Sequence, residues 1–388
     1  MARVAVVRTD EDDAALAAAV RRCIELAGGL EGLVEPGSRV LVKPNVVAPI
    51  ARGVTRPVVL RTVIEAVREA GGEPFVGDCA GMEFDSAKTF ELLGYPQLAG
   101  ELGVEVVNFD RDEVVTRPVR LGLVRRLAVA RSAAEADVRI SLPRLKAHSL
   151  TTVTLGLKNA FGALAKPSRR ALHVLALHRG IAWLNRVLPT HFTLLDATRV
   201  CERAVFGPQR RLGLLVASRD TVAADKVGCR LLGVPARAVR HIRAAEALDL
   251  GDGEAELVGD ADAVPPEPDR ARPVGLGRRL HRGAFWLTFA ADLVYNRLMG
   301  RTLLPAIHGR LGSHPVILAG QCDRCGACAQ ACPVGAIDLE RRRILTRRCQ
   351  DVRCLRCVEA CPRDAIAVRG IRKVAMEAPP RGQKSEGR

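Results

Sequence analysis

Eight of the chain's twelve cysteines fall between residues 322 and 361, and their spacing is the strongest constraint in the sequence. The first run is Cys322-x2-Cys325-x2-Cys328-x3-Cys332-Pro333, and the second is Cys349-x4-Cys354-x2-Cys357-x3-Cys361-Pro362. Three thiolates reach three corners of a cubane only from a tight loop, which is why two residues separate them. The fourth cysteine of each run reaches across to the other cluster. The spacing therefore predicts two 4Fe-4S clusters, one held by Cys322, Cys325, Cys328 and Cys361, the other by Cys349, Cys354, Cys357 and Cys332. Paired Cys-x2-Cys units also read as zinc sites. Zinc leaves no role for a third cysteine at the same spacing or for the Cys-Pro that closes each run. Val334-Gly335-Ala336-Ile337 and Asp364-Ala365-Ile366, each following its Cys-Pro, point to an internal duplication. Cys349 stands four residues from Cys354, a longer spacer than its counterpart in the first run.

At 388 residues the chain has room for one large domain and a small one, and an apolar fraction of 48% with only 3% aromatics gives an aliphatic core. No basic-then-apolar leader opens it, and the longest apolar run, around Ala284 to Tyr295, falls short of a membrane span. The expected location is the cytoplasm. Cys23, Cys79, Cys201 and Cys229 are too scattered for a disulfide framework and read as buried thiols.

The net charge of +16 is uneven. Residues 271–373 carry 19 Lys+Arg against 7 Asp+Glu, whereas residues 1–270 carry 37 against 34. A basic cysteine-rich end favours an acidic redox partner protein or an anionic membrane surface. Nucleic acid is disfavoured, because no binding motif is present and aromatics for stacking are few.

Along the chain, Val4 to Val7 reads as a strand, Asp13 to Leu26 as a helix, and Arg39 to Val42 as a second strand ending in Lys43-Pro44-Asn45. Pro57 opens a helix to about Ala70, and Pro74 to Gly77 forms a strand ending at Asp78. Val104 to Phe109, Asp137 to Leu142, Phe192 to Leu195 and Leu214 to Ala217 continue the strands. This rhythm predicts an α/β domain with a mostly parallel sheet and crossover helices. Ligands of such sheets bind beyond the carboxyl ends of the strands. The polar residues expected there are Lys43, Asn45, Asp78, Lys146, His148, Lys158 and Asn159, with Asp196, Asp220 and Asp225 later. Gathered lysines and a histidine would suit a carboxylate or phosphate. Taken singly, Lys43 and Asn45 also read as turn residues, Asp78 and Asp196 as helix N-caps, and His148 as a surface-loop histidine.

The stretches VLVKPNVV…GVTRP, VGD, SLPRLKAHSLTTVTLGLKNAFG and LGLLVASRDTVAADKVGCRLLG, followed by the two cysteine runs, resemble the domain-of-unknown-function 362 family over roughly residues 2–260. In that family a two-cluster ferredoxin module is a common attachment. The resemblance implies family positions at Lys43, Asn45, Asp78, Lys146, His148, Thr151, Lys158, Asn159 and Asp225. Ala147 departs from it, standing where threonine is usual.

The expected organisation is an α/β domain over residues 1–250, a linker with a basic amphipathic helix over 251–315, a small α+β dicluster ferredoxin-like domain over 316–373, and a disordered tail over 374–388. Arg278 to Leu304 gathers Phe285, Trp286, Phe289 and Tyr295 among arginines, and reads either as a helix packed between domains or as one lying on anionic lipid. The expected function is that of an iron–sulfur oxidoreductase passing electrons through the two clusters to or from a small anionic substrate or cofactor bound at the α/β domain. Lys43, Asn45, Asp78, Thr151, Lys158 and Asn159 would bind it, with Lys146 and His148 as the catalytic pair. The alternative is a non-catalytic electron-transfer or assembly protein, and the absence of a G-x-G-x-x-G fingerprint leaves it open.

Overall fold

A computed structural model describes residues 1–82, 84–148, 150–201, 209–252, 254–269, 278–300, 303, 307, 314–350 and 354–369, without the side chains of 278–286, 350 and 369. The chain divides into two units, Met1–Leu304 and Pro305–Arg388.

In the first unit the described residues form a ten-stranded sheet. Its strands are β1 (Ala2–Arg8), β2 (Arg39–Lys43), β3 (Glu73–Asp78), β4 (Val106–Asn108), β7 (Val138–Ser141), β8 (Arg144–His148), β9 (Thr152–Thr154), β10 (Phe192–Cys201), β11 (Gln209–Ser218) and β12 (Ala255–Gly259). A hairpin of β5 (Val114–Leu121) and β6 (Val124–Ala130) lies outside it. The order β12-β1-β11-β10-β7-β2-β3-β4 is parallel from β10 through β7, β2 and β3 to β4. β11 runs antiparallel to both β1 and β10. The sheet is thus mostly parallel, as the strand–helix rhythm predicts.

Both faces of this sheet are covered, so its central strands are apolar on both sides. On β2, Val40 and Val42 pack with Leu16, Val20, Val59 and Ile64, while Leu41 between them joins the opposite core with Phe75, Phe109 and Leu155. The helix Asp13–Leu26 starts where the Asp12 carboxylate accepts the Ala14 and Ala15 amides, and Pro57–Glu69 starts on its proline.

Four readings change. The Gly-, Pro- and acid-rich stretch from 251, expected as a linker, supplies β12, which pairs with β1 from Ala2 to Val6. The sheet edge needs a partner, and that pairing draws residues past 250 into the first unit. Asp196 caps no helix, because β10 continues through it to Cys201. His148 is no loop residue, because β8 begins three residues after β7 ends and runs to His148, which pairs with Thr152 of β9. The helix Arg278–Met299 also belongs to the first unit: Arg170 Nε meets Asp292 Oδ2 at 2.9 Å, and Phe289 packs on Met82 and Val174.

In the second unit β13 (His314–Ile317) pairs antiparallel with β16 (Ile366–Arg369), and β14 (Ile337–Asp338) with β15 (Arg343–Ile344). Short helices at Ala327–Gln330 and Arg356–Glu359 each carry a run's third cysteine. The tail over 374–388 lies outside the described residues.

Candidate functional site

Parallel strands β2, β3 and β7 end at Lys43, Asp78 and Ser141, so neighbouring strand ends bring these residues together despite their sequence separation. Lys43 Nζ meets Asp78 Oδ1 at 2.6 Å in a buried ion pair, and the Val46 amide donates to Asp78 Oδ2 at 2.7 Å. Lys146 Nζ donates to Asn45 Oδ1 at 2.5 Å and to the Gly53 carbonyl at 3.2 Å. Asn45 Nδ2 donates to Asn159 Oδ1 at 2.8 Å, and Asn159 Nδ2 to Ser141 Oγ at 2.9 Å. Lys43, Asn45, Asp78, Lys146 and Asn159 therefore share one neighbourhood, as two bonded sets, Lys43–Asp78 and Lys146–Asn45–Asn159, that meet where Asn159 Nδ2 reaches the Lys43 carbonyl at 3.4 Å. Gly162 covers it: a Cβ there would stand 2.2 Å from Asp78 Oδ1 and 2.9 Å from Lys43 Nζ.

Lys146 and its charged neighbour Lys158 lack a carboxylate partner among the described residues. Burial lowers Lys146 to about 7, with Arg144 and Lys43 acting in the same direction and Cys201 and Asp78 against it. Lys158 is also lowered to about 7, first by burial and then by Lys146 and Arg169. Its Nζ lies 3.9 Å from the centre of the Phe161 ring. Burial and then Lys158 push His148 well below the ordinary imidazole range. The Leu150 and Thr151 amides both donate to His148 Nδ1, which places the proton of the neutral ring on Nε2. His148 and Lys158 are only partly buried, whereas Lys146 is closed in.

The remaining family-like positions serve the frame. The Thr151 hydroxyl donates to the Val153 carbonyl at the β8–β9 turn and is fully buried. The Asp225 carboxylate accepts the Gly156 and Leu157 amides at 2.6 and 3.0 Å, holding the segment that carries Lys158 and Asn159. Asp196 pairs with Arg144 at 2.6 Å, and Asp220 caps the helix Thr221–Leu231. One neighbour escaped sequence reasoning. His173 donates from Nδ1 to the Arg169 carbonyl, meets Phe161 edge-on, and stacks on Phe289 at 4.6 Å. Its basic helical stretch gives no motif to mark it. A cavity of about 20 Å³ touching Lys43 and Ser141 has room for about one water, not for an organic anion.

The two cysteine runs repeat in geometry as well as sequence. Gly326 and Leu355 are both left-handed and precede equivalent helices, and Gly335 and Asp364 are left-handed after each Cys-Pro. The Ala336 amide donates to Cys332 Sγ and the Ala365 amide to Cys361 Sγ, each at 3.2 Å. After burial, Cys361 and Cys322 raise the Cys328 thiol. Cys357 feels Cys349, Cys354 and Cys332 in the same way, after burial. The backbone N–H groups aimed at the Cys332 and Cys361 sulfurs suit an iron–sulfur site.

An α/β sheet with a polar cluster at its carboxyl edge, joined to a cysteine-rich iron–sulfur unit, defines the class of protein. Residues 40–230 match the family model described as Domain of unknown function (DUF362), and residues 314–362 match the 4Fe-4S dicluster domain. The Thylakoid-associated protein of Synechocystis sp. is 32% identical over 267 residues, spanning 66% of this chain and 82% of that one. The chain belongs to the DUF362 family and carries a C-terminal 4Fe-4S dicluster domain. Lactate racemase apoprotein from Thermoanaerobacterium thermosaccharolyticum aligns with 12% identity and a TM-score of 0.43, covering 60% of this chain and 57% of that protein. Among the described residues no helix is long and apolar enough to cross a membrane.

Proposed function

We propose that this chain is an iron–sulfur oxidoreductase that passes electrons through two 4Fe-4S clusters to or from a small anionic substrate or cofactor held at the carboxyl edge of the α/β sheet. The observation that carries this reading is the pair Lys146 and Lys158, ammonium groups with no carboxylate partner among the described residues. A sequestered cation without a counter-ion is unfavourable, and a bound carboxylate or phosphate relieves it. The clusters, when bound, supply one-electron chemistry. The side chains do the rest. Lys146 and Lys158 bind the anion, Asn45 and Asn159 fix Lys146, and neutral His148 donates from Nε2. Lys43 is already committed to Asp78, so it shapes the site without adding net charge.

The sign of the pH dependence follows from the lysines. Each binds an anion while protonated and loses that charge as pH rises through about 7. Oxalate affinity, measured calorimetrically on the full chain, is expected to fall at least about tenfold between pH 6 and pH 8. Lys146→Ala should abolish binding and leave the visible cluster spectrum unchanged. Affinity indifferent to both pH and Lys146→Ala would remove the basis of this reading.

A second reading, peripheral contact with a membrane surface, rests on the helix Arg278–Met299. Leu287, Val294 and Leu298 share one face at helical spacing and are 63%, 60% and 76% exposed, opposite the buried Phe289 and Asp292. The relative named as thylakoid-associated points the same way. Co-sedimentation with anionic vesicles should be lost in a triple Leu287, Val294, Leu298→Ser variant; no binding by the parent chain discards this reading.

A further inference from the structure

Lysine is scarce here. Only 8 of the 59 basic residues are lysine, yet three of those eight, Lys43, Lys146 and Lys158, stand in one cluster. Arginine binds anions at least as well, but it does not lose its proton in proteins and cannot act as an amine nucleophile. The choice of lysine therefore asks for more than charge.

The three differ in what they touch. Lys43 is held by Asp78, and Lys146 by Asn45 and Gly53. Lys158 Nζ meets no hydrogen-bond acceptor among the described residues and rests on the Phe161 ring. It is only partly buried, so a ligand can reach it, and it shares its surroundings with Lys146 and Arg169. An amine in apolar surroundings beside other cations is the setting in which lysine becomes a nucleophile toward carbonyls. Lys146, fixed from two sides, keeps a third N–H for a carboxylate, while His148 Nε2–H is a proton donor two residues further along the same strand.

We propose that Lys158 forms an imine with the carbonyl of a small α-oxo acid whose carboxylate is held by Lys146. This deepens the anion-site reading and rests on it. The neutral Lys158 amine adds to the carbonyl carbon, and one N–H proton ends on the oxygen to give a carbinolamine. The hydroxyl then leaves with the second N–H proton as water, and C=N forms with no net oxidation. Lys158's low pKa, about 7, keeps a large fraction of the amine free at neutral pH.

The test uses the full iron–sulfur-loaded chain with pyruvate and sodium cyanoborohydride, followed by peptide mass mapping, with propionate as the carboxylate lacking a carbonyl. The expected result is about one reduced adduct per chain, confined to Lys158 and absent in Lys158→Arg. Calorimetric binding of both acids without a pyruvate adduct would overturn the imine and leave the anion site standing. Adducts spread over Lys88, Lys166 and Lys226 as well would also overturn it. Binding of neither acid would remove the anion site and the imine together. Mapping the unmodified chain settles the matter even where Lys158→Arg fails to fold.

Discussion

Cys361→Ala is expected to eliminate the reduced EPR signal of the cluster assigned to Cys322, Cys325 and Cys328, and to leave the other signal in place. The substitution lies in the second run, yet the loss should appear in the first. Cys328 feels Cys361 and Cys322, while Cys354 feels Cys332, so each run's fourth thiol faces the other run's triplet. A cubane left with three thiolates is labile, so iron and sulfide should fall from about eight of each per chain to about four. Cys332→Ala should give the mirror-image loss. If Cys361→Ala instead removes the cluster of Cys354 and Cys357, the ligands are not crossed and each run closes on itself.

The expectation of crossed ligands comes from the sequence, because thiolate spacing around a cubane leaves few alternatives. The helix Asp13–Leu26 was legible as well from apolar residues at helical spacing, and the structure adds Asp12 as its cap. The strands buried on both faces were legible as apolar runs, since burial left no polar alternation to disguise them. The β5–β6 hairpin was not, because it lies outside the main sheet and Val114–Leu121 includes a proline and alternates exposed positions with part-buried or buried ones. β8 was hidden for a different reason. Pro143 reads as a loop, yet the chain resumes pairing one residue later, and Lys146 is thereby aligned with Cys201. At the site, recurrence of polar residues at strand ends marked Lys43, Asn45, Asp78 and Lys146 without revealing who pairs with whom. That Lys43 is neutralised by Asp78 while Lys158 stands alone is a property of strand adjacency and of the Gly156–Asn159 turn. His173 stacks on Phe289, 116 positions away, and no local pattern encodes such a contact.

The ion pair at the floor of the site gives the largest expected effect on stability. Asp78→Ala removes the carboxylate from Lys43 Nζ and from the Val46 amide, leaving a buried ammonium and a buried N–H unsatisfied. Breaking a buried pair from one side costs about 3–5 kcal/mol, far more than the pair contributes relative to apolar residues of similar volume. Urea unfolding followed by far-ultraviolet circular dichroism should therefore show a clear drop in midpoint for Asp78→Ala. Lys43→Met should lower it too, because it strands the carboxylate. The double variant is the decisive measurement: with both charges gone, it should recover at least about 2 kcal/mol relative to the sum of the two losses. Additive losses would show that the two charges are not coupled, and the floor of the site would need another source of rigidity. Gly162→Ala probes the same pair without touching its charge, since its Cβ would press on Asp78 Oδ1 and Lys43 Nζ together. If the pair is as tightly roofed as its geometry indicates, that one methyl group should destabilise the chain through the pair, and its effect should shrink in the Lys43→Met, Asp78→Ala background.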